Sequence, residues 1–334
     1  MTNKKKPVIA LLLGGTSPER EVSKSSASSI YKALTTLGYK TILVDPAYGK
    51  HQPHKEEDFF KKEDFAELSN RNYVDAVNSK IFDEVDLAFL ALHGKWGEDG
   101  TIQSLLELRG IKYTGSNVIS SSMAMDKLMS KILFRHYEID TPDWIVAERK
   151  DSEADLKKRI KDNFAYPCVI KPNDQGSTVG LTICKNEADI TNALKLAFHY
   201  AEKVLIEEYI SGHEVTVGVL EDKPLPVLEI KPKHGIYDYE CKYTSGMSEY
   251  EVPANIPEWV QLELQSQALK AFKALGCSVY ARMDFRLSND FKTYCLEVNT
   301  LPGMTSTSLV PKMAKAVGIS FEELIDRIIK LSLK

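Results

Sequence analysis

Apolar positions along the chain follow two different periods, and the changes of period mark its elements. Val8 to Leu13 is a continuous apolar run ending on Gly14-Gly15, the pattern of a strand buried on both faces. Glu19 to Leu37 switches to helical spacing and is closed by Gly38, and Lys40 to Val44 is strand-like again. Asp86 to His93 repeats the buried-strand pattern and stops at a glycine-spaced polar loop, Gly94 to Gly100. A helix over 101–109 and a strand near 111–114 follow. Such a β-loop-α-β opening predicts an open, doubly wound sheet whose ligands sit beyond the carboxyl ends of its strands. Residues 48–80 are polar and irregular, and read as a solvated helix and loops.

Further on, helical spacing over Met123 to Tyr137 places Lys127 and Lys131 four residues apart on one face. Asp151 to Asn163 and Glu187 to Lys203 are two more helices. Between them, Tyr166 to Cys184 reads as strand, glycine-rich loop, strand, with Lys171 at the exit of the first strand. Backbone amides and hydroxyls around Gly176, Ser177, Thr178 and Gly180 can cradle phosphate oxygens, with the lysine as a point charge. A tight hairpin with a solvated lysine is the alternative. The lysine precedes the glycines and no helix follows, so this is not a P-loop; nor is Gly14-Gly15 a dinucleotide fingerprint.

Val204 to Leu220 holds two strands around Ser211-Gly212, and strand 226–230 opens into a long loop over 232–252. In compact domains such a length marks a lid or a disordered segment. Pro257 to Leu275 is a helix with proline in its first turn and Gly276 beyond its end. Ser320-Phe-Glu-Glu323 predicts a capping box for a last amphipathic helix whose apolar side faces the core.

The stretch from Val279 to Gly303 carries the strongest chemical signal. With Asn289 and Asp290 at a turn centre, residue 284 lies opposite 295 and residue 282 opposite 297. Alternation along the two strands then gives Arg282, Asp284, Glu297 and Asn299 one polar face. Ala281, Met283, Phe285, Leu287, Tyr294, Leu296 and Val298 fill the other. Such a polar face can hold a hard divalent cation and an anion together. The competing reading is a solvated face with a cross-strand ion pair of about 0.2–1 kcal/mol. Everything depends on parity, because an odd-length turn or a bulge turns one strand over.

At 334 residues the chain is long enough for two or three domains. A net charge of −4 argues against a broad nucleic-acid footprint. The apolar run near the start is short and lacks a small-residue cleavage site, and nothing approaches the about 18 apolar residues of a membrane span. Five scattered cysteines without a Cys-x-x-Cys pair fit reduced thiols of a cytoplasm.

Taken in order, several of these stretches resemble the D-alanine–D-alanine ligases, ATP-grasp enzymes of peptidoglycan precursor synthesis. The matching pieces are Gly14 to Ser23, Leu92 to Gly100, Tyr113 to Asn117 with Met125-Asp-Lys127, Lys171 to Gly180, Tyr237 to Tyr243, Arg282 to Asp284, and Glu297 to Pro311. Each is weak alone; their order and spacing are specific, and the likeness spans nearly all of the chain except about 48–80. The resemblance implies an α/β, three-domain ATP-grasp fold. An N-terminal open parallel-sheet (Rossmann-like) domain at 1–117 precedes a central subdomain at 118–207 and a C-terminal subdomain at 208–334 carrying the lid loop 232–252. It further implies ATP as co-substrate, two Mg²⁺ ions with Mn²⁺ able to substitute, D-alanine as substrate, and a cytoplasmic homodimer with no nucleic-acid or membrane partner.

By motif position, the resemblance assigns Asp284, Glu297 and Asn299 to metal, and Lys127, Lys171 and Lys242 to phosphate oxygens. Glu207 and Glu214 contact the nucleoside, and Ser177 with Thr178 closes over the γ-phosphate. Arg282 and the Gly303 N–H are donors to a tetrahedral oxyanion. Glu19 pairs with the first substrate's ammonium, His93 lies near that substrate, and Ser308 receives the second substrate's carboxylate. A Glu19–Ser177–Tyr243 hydrogen-bond network ties the first two domains to the lid. Thr178 stands where the family often has a second serine. Tyr243 stands where D-alanine–D-lactate ligases tend to carry phenylalanine, which favours an amino-acid acceptor; D-lactate, D-serine or another amine is the alternative second substrate.

Overall fold

The apolar run near the start of the chain becomes strand β1 (Val8–Leu12), buried along its whole length. It is buried because it has a parallel neighbour on each edge, β2 (Lys40–Val44) and β3 (Leu87–Leu90). With β4 (Lys112–Tyr113) the sheet order is β2-β1-β3-β4, and all its pairings are parallel. The structure is a computed structural model and describes residues 6–233 and 246–334. Helices α1 (Arg20–Thr36), α2 (Asn72–Val77) and α3 (Thr101–Arg109) lie between the strands. The glycine loops after β1 and β3 therefore fall together at the carboxyl edge of the sheet, where open α/β sheets present ligand sites.

The polar stretch 48–80 is more than a solvated connection. Phe59 and Tyr73 within it are buried. Asp64 accepts from Arg20 Nε and the Tyr48 hydroxyl from Arg20 Nη2, each at 2.8 Å. The same guanidinium lies 2.7 Å from the buried Asp45 carboxylate. This stretch thus holds the first turn of α1 in place.

The second sheet is antiparallel, in the order β5-β8-β6-β7. Its strands are β5 (Trp144–Glu148), β6 (Cys168–Pro172), β7 (Thr182–Cys184) and β8 (Lys203–Glu208). Helices α4 (Val118–Met125) and α5 (Lys127–His136) precede it, so the single helix expected over 123–137 is in fact two. Asp126 makes the break: its backbone is extended and its carboxylate accepts from the Met129 N–H at 3.0 Å, an N-cap for α5. Helices α6 (Glu153–Asn163) and α7 (Ile190–Tyr200) cover one face, where Leu156, Ile160, Ala193 and Ala197 pack with Ile170 and Ile206. Cys168 and Cys184, far apart in sequence, stand directly opposite each other across β6 and β7, both fully buried. The glycine-rich loop joins these two strands.

The third sheet runs β12-β11-β9-β13-β14, with β10 on the free side of β9's end. Its strands are β9 (Gly212–Leu220), β10 (Lys223–Pro224), β11 (Leu228–Pro232), β12 (Ser248–Glu251), β13 (Tyr280–Ser288) and β14 (Thr293–Asn299). The expected lid over 232–252 falls mostly on residues 234–245, outside the described residues. Helix α8 (Glu258–Ala274) packs Val260, Leu264, Ala268 and Phe272 against Val217, Met283 and Phe285.

The β13–β14 register differs from the expected one. Ser288 pairs with Lys292 at 2.9 Å, leaving three residues in the turn, with Phe291 in the left-handed region at φ 63°. That odd count alone would turn β14 over. A bulge after Asp284 reverses the effect: Phe285 faces Cys295, whereas Asp284 faces Glu297 and Arg282 faces Asn299. The four polar residues therefore do share a face, but not opposite the predicted partners. Between turn and bulge the expected core face is wrong. Cys295 is buried there, while Tyr294 and Leu296 point the other way, and Leu296 lines the site. Val298, beyond the bulge, is in the core as expected.

Helices α9 (Leu309–Ala316) and α10 (Phe321–Ser332) end the chain. Ser320 accepts from the Glu323 N–H at 3.1 Å, but the Glu323 carboxylate turns to Arg327 Nε at 3.1 Å, so only half of the expected capping box forms. Packing crosses the sequence ranges. Ala124 and Phe134 belong to the core of the third sheet, whereas Leu324, Ile325, Ile328 and Ile329 of α10 join that of the first. Phe285, fully buried between β13 and α8, reports on the third core. Phe285→Ala should cost about 3–5 kcal/mol in urea unfolding, and a loss below about 1 kcal/mol would contradict this packing.

Candidate active site

Two clefts meet at the polar face of β13 and β14. One lies between the second and third sheets and is lined by Lys127, Lys171, Ser177, Thr178, Glu207, Glu214, Asp284 and Glu297. The other opens toward the first sheet and is lined by Glu19, His93, Ser177, Arg282, Glu297, Asn299, Gly303 and Ser308. Ser177 and Glu297 belong to both. Every site residue expected from sequence lines one of these clefts except Lys242 and Tyr243, which lie outside the described residues.

Opposite charges are paired across much of the first cleft and its rim. Arg282 grips Asp284 with two bonds, Nε to Oδ1 at 2.8 Å and Nη2 to Oδ2 at 2.7 Å. The Thr216 hydroxyl, on the neighbouring strand β9, donates to the same carboxylate at 2.6 Å. Lys127, at the start of α5, lies 3.2 Å from Glu297 and donates to the Gln175 carbonyl at 2.7 Å. Lys171 lies 2.8 Å from Glu207, and Glu214 is 3.6 Å from Arg286.

Sequence reasoning noticed Lys131 but gave it no role. It is fully buried, 3.2 Å from Glu207, and donates to the Thr141 hydroxyl at 2.7 Å and the Pro142 carbonyl at 3.0 Å. Burial lowers its pKa to about 8, with Lys171 adding to the effect and Glu207 opposing it. Burial would raise the Glu207 carboxyl, but Lys131 and Lys171 outweigh burial and hold it below the usual range. The signal in the sequence was the four-residue spacing from Lys127; its burial comes from contacts distant in sequence.

In the second cleft, Glu19 immediately precedes α1, and the Ser177 hydroxyl donates to its carboxylate across 158 residues of chain. Two glycine loops make room for it. A Cβ on Gly94 would stand 2.6 Å from Glu19 Oε2, and one on Gly176 would stand 3.1 Å away. His93 lies 3.0 Å from the Ser26 hydroxyl and 3.4 Å from Glu98. Burial would lower the His93 pKa, but Glu98 and then Glu19 outweigh it and raise it. The Met304 N–H donates to the Ser26 hydroxyl at 3.3 Å, docking the loop after β14 onto α1. Ser26, Glu98 and Thr216 were not found from sequence, because a serine in a helix or a threonine in a strand carries no local signal.

Asp284 and Glu297 are direct cross-strand partners, with Asn299 on the same face. Two carboxylates and an amide oxygen suit a hard divalent cation, which takes its remaining ligands from water or substrate phosphates. Among the described residues there is no group of three or more His, Cys, Asp or Glu able to hold a metal alone. The donor set thus fits an ion that arrives with an oxyanion ligand.

The family models described as D-ala D-ala ligase N-terminus and D-ala D-ala ligase C-terminus match residues 8–116 and 133–330. A D-alanine--D-alanine ligase from Syntrophotalea carbinolica is 43% identical over 321 residues, 96% of this chain and 94% of that one. The crystal structure of a D-alanine--D-alanine ligase from Bacillus anthracis complexed with ATP is similar at a TM-score of 0.77 and 32% identity, covering 98% of each chain. That of the VanG D-Ala:D-Ser ligase from Enterococcus faecalis is similar at a TM-score of 0.83 and 33% identity, covering 98% of this chain and 100% of that one.

The lowered Lys131 pKa has a measurable signature. Between about 8 and the ordinary 10.5 the unfolded chain holds this proton and the folded chain does not. Through this lysine, stability therefore rises with pH across that window. The difference in urea-unfolding free energy between the wild type and Lys131→Met should increase from pH 8 to 10. A flat difference would show that this lysine titrates normally.

Proposed function

We propose, for a chain that belongs to the D-alanine–D-alanine ligase family, that it joins two D-alanines into D-alanyl-D-alanine with ATP for peptidoglycan precursor synthesis. The observation that carries this reading is the meeting of the two clefts at Ser177 and Glu297. A phosphoryl group held in one lies beside a carboxylate held in the other.

In the first step, a carboxylate oxygen of the first D-alanine attacks the γ-phosphorus of ATP. The bond to the ADP oxygen breaks, and an acyl phosphate forms. In the second, the amine of the second D-alanine attacks the acyl carbon through a tetrahedral intermediate. The carbon–oxygen bond to phosphate breaks, and the amine proton is lost. Phosphoryl transfer of this kind needs mainly positioning and neutralisation of charge.

Lys127, Lys171 and Lys242 hold phosphate oxygens, Ser177 and Thr178 close over the γ-phosphate, and Glu207 and Glu214 contact the nucleoside. Glu19 holds the first substrate's ammonium beside His93, with Ser177 and Tyr243 completing its network. Arg282 and the Gly303 N–H stabilise the tetrahedral oxyanion, and Ser308 receives the second substrate's carboxylate. Asp284, Glu297 and Asn299 would hold two Mg²⁺ ions, or Mn²⁺ in their place, which would neutralise the phosphate charge. No helix among the described residues is long and apolar enough to cross a membrane; the setting we infer is cytoplasmic and the assembly a homodimer.

Phosphate release should require ATP, D-alanine and Mg²⁺ together, with the dipeptide identified by mass spectrometry. Arg282→Ala should lower turnover by about 10²–10³-fold, the loss that follows removal of one oxyanion donor. Turnover with L-alanine in place of D-alanine would reject the substrate. Predominant depsipeptide with D-lactate, or a D-alanyl-D-serine product, would reassign the acceptor.

A further inference from the structure

The second cleft contains a cation to which no role has been given. Lys312 lines the cavity that also holds Ser308, Arg282 and His93. It lies one helical turn beyond Ser308 on α9, and its N–H donates to the Ser308 carbonyl at 3.0 Å. Residues four apart on a helix share a face, so the lysine and the serine project to the same side. The Lys312 ammonium stands 5.1 Å from the centre of the Tyr250 ring, which lines the same cavity from β12. This contact directs the charge without neutralising it.

The surroundings sharpen the contrast. The other strong cation of the cavity, Arg282, is already held by Asp284 through two hydrogen bonds. Lys312 has no ion-pair partner among the described residues, although Glu19, Glu98 and Glu297 line the same cavity. The Ser308 hydroxyl accepts from the Thr305 N–H at 3.0 Å and gives α9 no side-chain cap. Among the described residues lining the cavity, an anion entering above Ser308 would therefore find the ammonium as the one lysine or arginine charge without an ion-pair partner.

We propose that Lys312 binds the carboxylate of the second, amine-donating substrate and so restricts the acceptor to carboxylate-bearing amines. The inference rests on the ligase reading above. It makes Lys312 a specificity residue: the acceptor's carboxylate is held at α9, which leaves its amine toward the reacting carbon. An acceptor without that charge forfeits the contact. A lysine lying on Tyr250 for packing alone would have no such effect on acceptor choice.

The test is steady-state kinetics of the full-length enzyme with ATP, Mg²⁺ and either D-alanine or D-alaninamide as acceptor. Lys312→Gln should raise the KM of the second D-alanine by about tenfold or more, the loss of one charge-assisted contact. The KM values of ATP and of the first D-alanine should stay within about twofold of the wild type, and the melting temperature should be unchanged. Lys312→Arg should recover most of the loss. The wild type should prefer D-alanine to D-alaninamide, and Lys312→Gln should largely erase that preference. An unchanged second-site KM and an unchanged preference in Lys312→Gln would overturn the proposal while leaving the ligase reading intact. A wild-type enzyme that makes no dipeptide would remove both.

Discussion

The site depends on strand parity between β13 and β14. A three-residue turn shifts the pairing by one residue, a bulge after Asp284 shifts it by one more, and the two together restore the alternation. With only one of them, Glu297 and Asn299 would point into the core beside Phe285 and Met283, at the cost of burying an unpaired carboxylate. The opposite edge of β13 is fixed as well. Nine of its residues pair with β9 without a break, and Thr216 of β9 faces Asp284 and bonds its carboxylate. The register is thus held from one side by the ladder and from the other by the bulge.

Much of the architecture could be read from the chain because the signals are local. The apolar runs at Val8 and Asp86, the glycines that end them, and the proline-to-glycine span of α8 each report on their own segment. The polar face of Arg282, Asp284, Glu297 and Asn299 was legible for the same reason. Its pairing was not, because nothing in Leu296 or its neighbours announces a bulge; the predicted inward position of Leu296 fails for that reason.

Other features were illegible because they are made by distance. Asp126 looks like an ordinary polar residue in a helical stretch until its carboxylate caps α5. Lys131 looks like a solvated neighbour of Lys127 until Glu207, Thr141 and Pro142 close around it. Asp64, in a stretch without chemical signal, is read correctly only once Arg20 is seen to hold it. Cys168 and Cys184 become opposed only when β6 and β7 pair.

The ion pairs of the first cleft have one more consequence. Arg282 with Asp284, Lys127 with Glu297 and Lys171 with Glu207 make the cleft an internal salt. A polyanion arriving alone would draw off the cations and strand half-buried carboxylates; a divalent cation alone would do the reverse. Each stranding costs desolvation without return. Arriving together, the two ions would exchange partners with the protein in a double displacement that leaves no charge bare. A polyanion and a divalent cation binding there together would therefore each raise the other's affinity.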